Sequence, residues 1–233
     1  MDDAAMIRAA TSNVRALLFD MDGTLVDSMP WHLRSWVALL AEHGVTVDPH
    51  DFLLETAGTR ADVILRERLG ATLSDSEVAR LAGEKELRYR AMYGPHVQLI
   101  AGAAEFLKKA QSRGIDLALA SAAPEDNVRF ILDRTGLGSM FNAVVTADDG
   151  FPGKPAPDIF LAAAARIGTL PRNSLVFEDA LNGVEAARSA AMRVVVLSTS
   201  LTPEEIPRGP DVLAVAADYT TLDLDALTST SDS

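Results

Sequence analysis

An α/β fold built on a parallel sheet, interrupted early by a helical insert, is predicted by three features of this 233-residue chain. Val14, Ala16, Leu17, Leu18 and Phe19 form a short apolar run, as expected of a strand buried on both faces. Beyond Pro95, helical periods alternate with short apolar strands, the pattern of a parallel sheet covered by helices. Between these regions, residues 30–94 carry helical spacing with no convincing strand.

The first strand runs into Asp20-Met21-Asp22-Gly23-Thr24-Leu25-Val26-Asp27-Ser28. Open α/β sheets bind ligands at the carboxyl ends of their strands, and two carboxylates placed there can hold a divalent cation and supply a nucleophile. An Asp-Gly pair after a strand also serves as an ordinary turn. Residues 31–43, 60–69 and 74–93 place apolar side chains three and four apart, divided by Gly44, Gly58 and Gly70. They read as a lid beside Asp20, with hinges at 27–30 and 94–102. Helices are then expected at 103–114, 125–135, 157–167 and 183–191, and strands at 115–120, 143–146, 175–178 and 193–197. The polar or small residues at 1–12 and 228–233 are expected to be frayed ends.

Three strand ends carry further polar groups. Ser121, in Ser121-Ala122-Ala123, can contact a bound anion or cap the helix after Pro124. Lys154 lies between Gly153 and Pro155 in a strand-to-helix connection, which makes it a placed cation more than a solvated one. Glu178 and Asp179 can ligate a cation or simply favour a helix N-terminus. In the insert, His32 and Trp36 share a helix face, Lys85 and Tyr89 are one turn apart, and Trp31 and Trp36 read as packing residues.

Composition narrows the possible functions. The chain has no cysteine, which excludes disulfides, thiolate metal sites and a cysteine nucleophile. A formal charge of −12 argues against a nucleic-acid partner, although local cations can still make a pocket for a small anion. No apolar run approaches membrane-spanning length and no signal peptide is visible, so a cytoplasmic protein without a membrane partner is expected. There is no G-x-G-x-x-G after the first strand, and Gly153-Lys154 is followed by Pro155 where a triphosphate-binding loop needs Ser or Thr. With no heptad seam, a monomer is the default.

Asp20-x-Asp22-Gly23-Thr24-Leu25, strand-end Ser121, Gly153-Lys154-Pro155-Ala156-Pro157-Asp158 and Glu178-Asp179-x-x-x-Gly183 resemble, in order, the four motifs of the haloacid dehalogenase superfamily. The match extends over about 14–197, in the branch of β-phosphoglucomutase-like enzymes and sugar phosphatases. The resemblance implies a Rossmann-like α/β core at 1–28 and 95–233 with an all-helical cap at 29–94. It implies Asp20 as nucleophile, Asp22 as general acid and base, and Ser121 and Lys154 as phosphoryl contacts. Mg²⁺ would be held by Asp20, Asp22 (through its backbone carbonyl), Glu178 and Asp179. Thr24, Ala122, His32, Arg60 and Lys85 are the implied substrate-side residues, with Arg60 a clamp for a distal phosphate or a sugar hydroxyl.

The expected activity is therefore Mg²⁺-dependent hydrolysis of a small phosphorylated metabolite, such as a sugar phosphate, through an aspartyl phosphate. A β-phosphoglucomutase-type isomerase is the alternative, and a non-catalytic regulatory protein of the same fold is a third. Thr56 stands where the mutase pattern has a Lys and Ala57 where it has a Gly, which favours the phosphatase.

Overall fold

Strand β1 (Ala16–Phe19) is buried along its whole length, and the sheet is assembled around it. The computed structural model describes residues 14–229. After β1 come helices α1 (Met29–Glu42), α2 (Pro49–Thr56), α3 (Ala61–Leu69) and α4 (Asp75–Tyr93). The chain then alternates through α5 (Ala103–Ser112), β2 (Asp116–Ala120), α6 (Glu125–Thr135), β3 (Ala143–Val145), α7 (Asp158–Arg166), β4 (Ser174–Glu178), α8 (Leu181–Ser189) and β5 (Arg193–Leu197). It ends with β6 (Val212–Ala216) and α9 (Leu224–Thr228).

The six strands form one sheet in the order β3-β2-β1-β4-β5-β6, and every pairing is parallel. Phe19 pairs in register with Leu119 on one side and Phe177 on the other, which brings the carboxyl ends of β1, β2 and β4 together. Alternate residues of these strands serve opposite faces. Leu17, Phe19, Leu117 and Phe177 pack with Phe106, Leu107 and Tyr219, and Phe19 stacks on Phe177 with centroids 4.6 Å apart. Leu18, Ala118, Val176 and Val194 pack on the other face against Phe160, Ala163 and Val184. Each fully buried Leu, Val or Phe stabilises the fold by about 2 kcal/mol through burial.

The helices between β1 and α5 have an apolar cluster of their own, made of Trp36, Leu39, Leu40, Phe52, Ile64, Leu65, Val78 and Leu81. Helix α4 starts at a capping box in which Ser74 and Glu77 satisfy each other's backbone N–H groups. At its other end Tyr89 and Tyr93 join the cluster under β1. The two connections of this block lie side by side: Ile100 N donates to Leu25 O (2.9 Å) and Asp27 N to Gln98 O (3.2 Å).

Three expectations need correction. Helix α2 falls at 49–56, where no element is expected; it starts at Pro49, and the Asp48 carboxylate accepts from His50 N and Asp51 N. Strand β6 and helix α9 fall at 212–216 and 224–228, where no individual element is expected although the core is expected to reach 233. Thr228 belongs to α9, its hydroxyl donating to Leu224 O, so fraying does not begin there. The frayed end expected at 1–12, and residues 230–233 of the one expected at 228–233, lie outside the described residues.

Candidate active site

Directly after β1, Asp20 sits beside the β4 end, its N–H donating to Phe177 O at 3.0 Å. Glu178 closes β4 and Asp179 follows it; all three carboxylates are buried. One oxygen from each of Asp20, Glu178 and Asp179 falls within 4.8 Å of the others, a hard, all-oxygen donor set that suits Mg²⁺. Lys154 is buried among them, donating to Asp20 Oδ1 at 2.5 Å and to Glu178. The remaining Glu178 oxygen accepts from Asp179 N (2.8 Å) and Ala180 N (2.9 Å). Asp179 accepts from the Thr24 hydroxyl (3.3 Å) and from Ser200.

Two glycines make room for this packing. Gly23 adopts φ +79°, and a Cβ there would run into the Asp179 carboxylate. A side chain at Gly183 would collide with Glu178.

Burial drives the Asp20 carboxyl up to about 8, with Lys154 opposing the rise and Glu178 adding to it. Asp179 is also driven well above the ordinary carboxylate range by burial and by the Glu178 and Asp20 charges. Burial alone would lower Lys154, but Asp20 and Glu178 outweigh it and hold the ammonium well above its usual value. The cluster thus gathers more carboxyl groups than its single lysine can neutralise, so without a cation the fold favours keeping protons on them.

Asp22 lies two residues from Asp20, yet its carboxylate belongs to a different neighbourhood. The Ser28 hydroxyl donates to Asp22 Oδ1 at 2.6 Å, Tyr89 OH donates to it at 3.3 Å, and His32 Nε2 stands 3.1 Å away. Burial would raise this carboxyl, but His32, Ser28 and Lys85 hold it below the ordinary value. Behind His32 lies Lys85, Nζ to Nδ1 2.7 Å. An ammonium only donates, so Nδ1 accepts and the ring N–H is the Nε2 that faces Asp22. His32 is further fixed by stacking on Tyr89, with centroids 3.8 Å apart.

Lys85 continues the chain of contacts to Glu86 Oε1 (3.0 Å). Glu86 Oε2 accepts from Asn127 of α6 (2.6 Å), whose Oδ1 accepts from Arg90 (2.6 Å). This buried row joins the insert to the sheet domain's helix α6. Asn182 of α8 makes a second tie, donating to Ala57 O (3.0 Å) and Thr59 Oγ1 (3.2 Å).

A cavity of about 480 Å³ separates the insert from the strand ends, and Asp20, Asp22, His32, Arg60, Lys85, Ser121, Ala122, Glu178 and Asp179 all line it. Ser121 accepts from Ala123 N at 3.1 Å and its N–H is used by Val145 O, which fixes the loop. Three expected positions differ in detail: Lys154 lies buried behind Asp20 and is not among the residues that line the cavity. Thr24 is fully buried and does not line the cavity; its hydroxyl is turned to Asp179. Arg60 lines the cavity, but its guanidinium is engaged by Asp62 (2.9 Å) and the carbonyls of Ala147 (3.2 Å) and Phe151 (3.4 Å), which makes it a tether across the opening.

Ser28, Glu86, Asn127, Asn182 and Ser200 were not visible as site residues in the sequence. Glu86 directly follows Lys85 in a helix, where neighbours diverge, so spacing hides their ion pair. Ser200 sits in an irregular polar loop without a motif.

The profile of haloacid dehalogenase-like hydrolases matches residues 14–191. The protein CbbY of Rhodobacter capsulatus is 34% identical over 222 residues, covering 91% of this chain and 95% of that protein. The fructose-1-phosphate phosphatase YqaB of Escherichia coli is 33% identical over 179 residues, covering 77% of this chain and 94% of that protein. Among solved structures, a β-phosphoglucomutase from Clostridium difficile superposes with a TM-score of 0.81 at 25% identity, over 91% of this chain and 94% of that one.

Proposed function

This chain belongs to the haloacid dehalogenase-like hydrolase family, and from that premise we propose that it is a Mg²⁺-dependent phosphatase of small phosphorylated metabolites, working through an aspartyl phosphate. The observation that carries this reading is the separation of two aspartates: Asp20 faces the cavity against Lys154, while Asp22 is held two residues away by Ser28, Tyr89 and His32. Residues 1–28 and 95–233 would form the catalytic core and 29–94 the cap. Asp20, Glu178 and Asp179, with the Asp22 backbone, would hold the metal, which when bound supplies charge neutralisation at the phosphoryl oxygens.

Asp20 attacks phosphorus as the bond to the alcohol oxygen breaks, and Asp22 gives that oxygen its proton. Lys154 and the Ser121 hydroxyl steady the phosphoryl charge. A water then attacks the acyl phosphate, its proton goes to Asp22, and orthophosphate leaves with Asp20 regenerated. Asp22 therefore enters the first half reaction protonated. With the cavity free of substrate the fold holds Asp22 ionised, the form that takes up a proton in the second half, so the first half requires Asp22 to be protonated as substrate binds.

A phosphomutase remains the second reading, supported by the likeness to the β-phosphoglucomutase structure. The test is incubation with Mg²⁺ and a panel of phosphorylated sugars, including β-glucose 1-phosphate with a trace of the 1,6-bisphosphate. Orthophosphate release identifies a phosphatase. Glucose 6-phosphate formed without matching orthophosphate identifies a mutase, and neither product within hours would overturn both.

A further inference from the structure

We propose that the cavity selects phosphate monoesters whose alcohol carries no second anionic group and lays an apolar face against the insert. This deepens the phosphatase reading above and rests on it. The first observation is the charge around the opening. Three full cations line the cavity, and each already faces a carboxylate: Arg60 with Asp62 at 2.9 Å, Arg66 with Asp75 at 2.5 Å, and Lys85 with Glu86 at 3.0 Å. Asp148 adds another carboxylate at the rim, where it accepts from Glu125 N at 2.8 Å. The transferring phosphoryl group would meet Asp20, with Lys154 buried behind it, and the metal site at the floor. A phosphate or carboxylate farther out would meet Asp62, Asp75 and Asp148, and to gain a cation it would have to displace one of them.

The second observation is the wall itself. Trp36, Leu53, Ile64, Val78, Ala79 and Ala82, drawn from four successive helices of the insert, line one side of the cavity. Across from them the sheet domain presents Ala122, Ala123 and Pro124. These apolar surfaces suit an alcohol with an apolar face, while Thr56, Thr59 and the carboxylates named above remain for its hydroxyls.

Three synthetic esters isolate the charge: benzyl phosphate, 4-carbamoylbenzyl phosphate and 4-carboxybenzyl phosphate. Their leaving alcohols are closely similar, and the last two are near isosteres that differ in one negative charge. With Mg²⁺ at neutral pH, the carbamoyl and unsubstituted esters should have kcat/KM within a few fold of each other, and the carboxy ester should be at least about tenfold lower. In Asp62→Asn, which frees Arg60 from its carboxylate, the ratio between carbamoyl and carboxy esters should narrow. A carboxy ester turned over as well as its amide would overturn the charge selection while leaving the phosphatase reading intact. A loss of more than tenfold for benzyl phosphate relative to fructose 1-phosphate would overturn the apolar wall. Hydrolysis of fructose 1-phosphate with no orthophosphate from the three benzyl esters would overturn this inference alone, and no orthophosphate from fructose 1-phosphate or any other phosphorylated sugar would overturn the phosphatase reading as well.

Discussion

Asp20 and Asp179 show how function and stability oppose each other at single residues. Replacing Asp20 with Asn keeps the shape but removes the nucleophile, and orthophosphate release should fall by at least about a thousandfold. Residual activity near the wild-type rate would remove Asp20 from the chemistry. At Asp179 the carboxylate is buried beside Glu178 and Asp20, and its proton affinity is raised because the fold disfavours its charge. Asp179→Asn should therefore stabilise the metal-free protein by about 1 kcal/mol, while weakening the Mg²⁺ dependence of both melting temperature and activity. A lower metal-free melting temperature would mean that the Thr24 and Ser200 hydrogen bonds to Asp179 outweigh the charge. These positions were legible in the sequence because each lies at a strand end within a fixed spacing. The Thr24 hydroxyl points at Asp179 across 155 positions of chain, and no local pattern encodes that direction.

Helix α4 links the cavity to α6 through the Lys85, Glu86 and Asn127 row, and that row gives an element-scale prediction. Lys85 and Glu86 are both buried, so Lys85→Met strands a charge and should destabilise the protein by about 3 kcal/mol. Adding Glu86→Gln should restore most of that loss. If Lys85 also sets the His32 tautomer, the double variant should regain its melting temperature but keep a lowered kcat with KM little changed. Recovery of both together would reduce Lys85 to a structural partner. At this scale the sequence was informative where periodicity persists, as in α4, whose capping box stands where the spacing places the helix start. It was uninformative for α2, which is only two turns long, and for β6, an edge strand of Val, Leu and Ala that periodicity alone cannot assign to helix or strand. The insert's tethers, Arg60 to Ala147 and Asn182 to Ala57, join residues far apart in the chain and emerge only from packing.

Over the whole molecule, the acidic cluster couples folding stability to pH and to the metal. In the metal-free protein burial pushes the Asp20 carboxyl up to about 8, against 3.8 for an ordinary aspartate. Below the lower value the carboxyl is protonated in both folded and unfolded chains, and its contribution is intact. Between the two values the folded protein retains a proton that the unfolded chain has released, so stability falls as pH rises, by about 1 kcal/mol per pH unit for each proton retained. Asp179 has the same sign. Asp22 and Glu86 act oppositely: the folded protein holds them below their ordinary values, so their contribution is present near neutrality and disappears on acidification. Metal-free melting temperature should consequently peak at mildly acidic pH and decline toward pH 8. Mg²⁺ competes with the proton for the same oxygens, so its stabilising increment should grow with pH and flatten the decline. Thermal melts at pH 5, 6, 7 and 8, with chelator and with excess Mg²⁺, measure both trends. Asp20→Asn should reduce the metal-free slope. A metal-free melting temperature that rises from pH 5 to 8, or a Mg²⁺ increment independent of pH, would show that the buried carboxylates are compensated by the fold itself and not held in readiness for a cation.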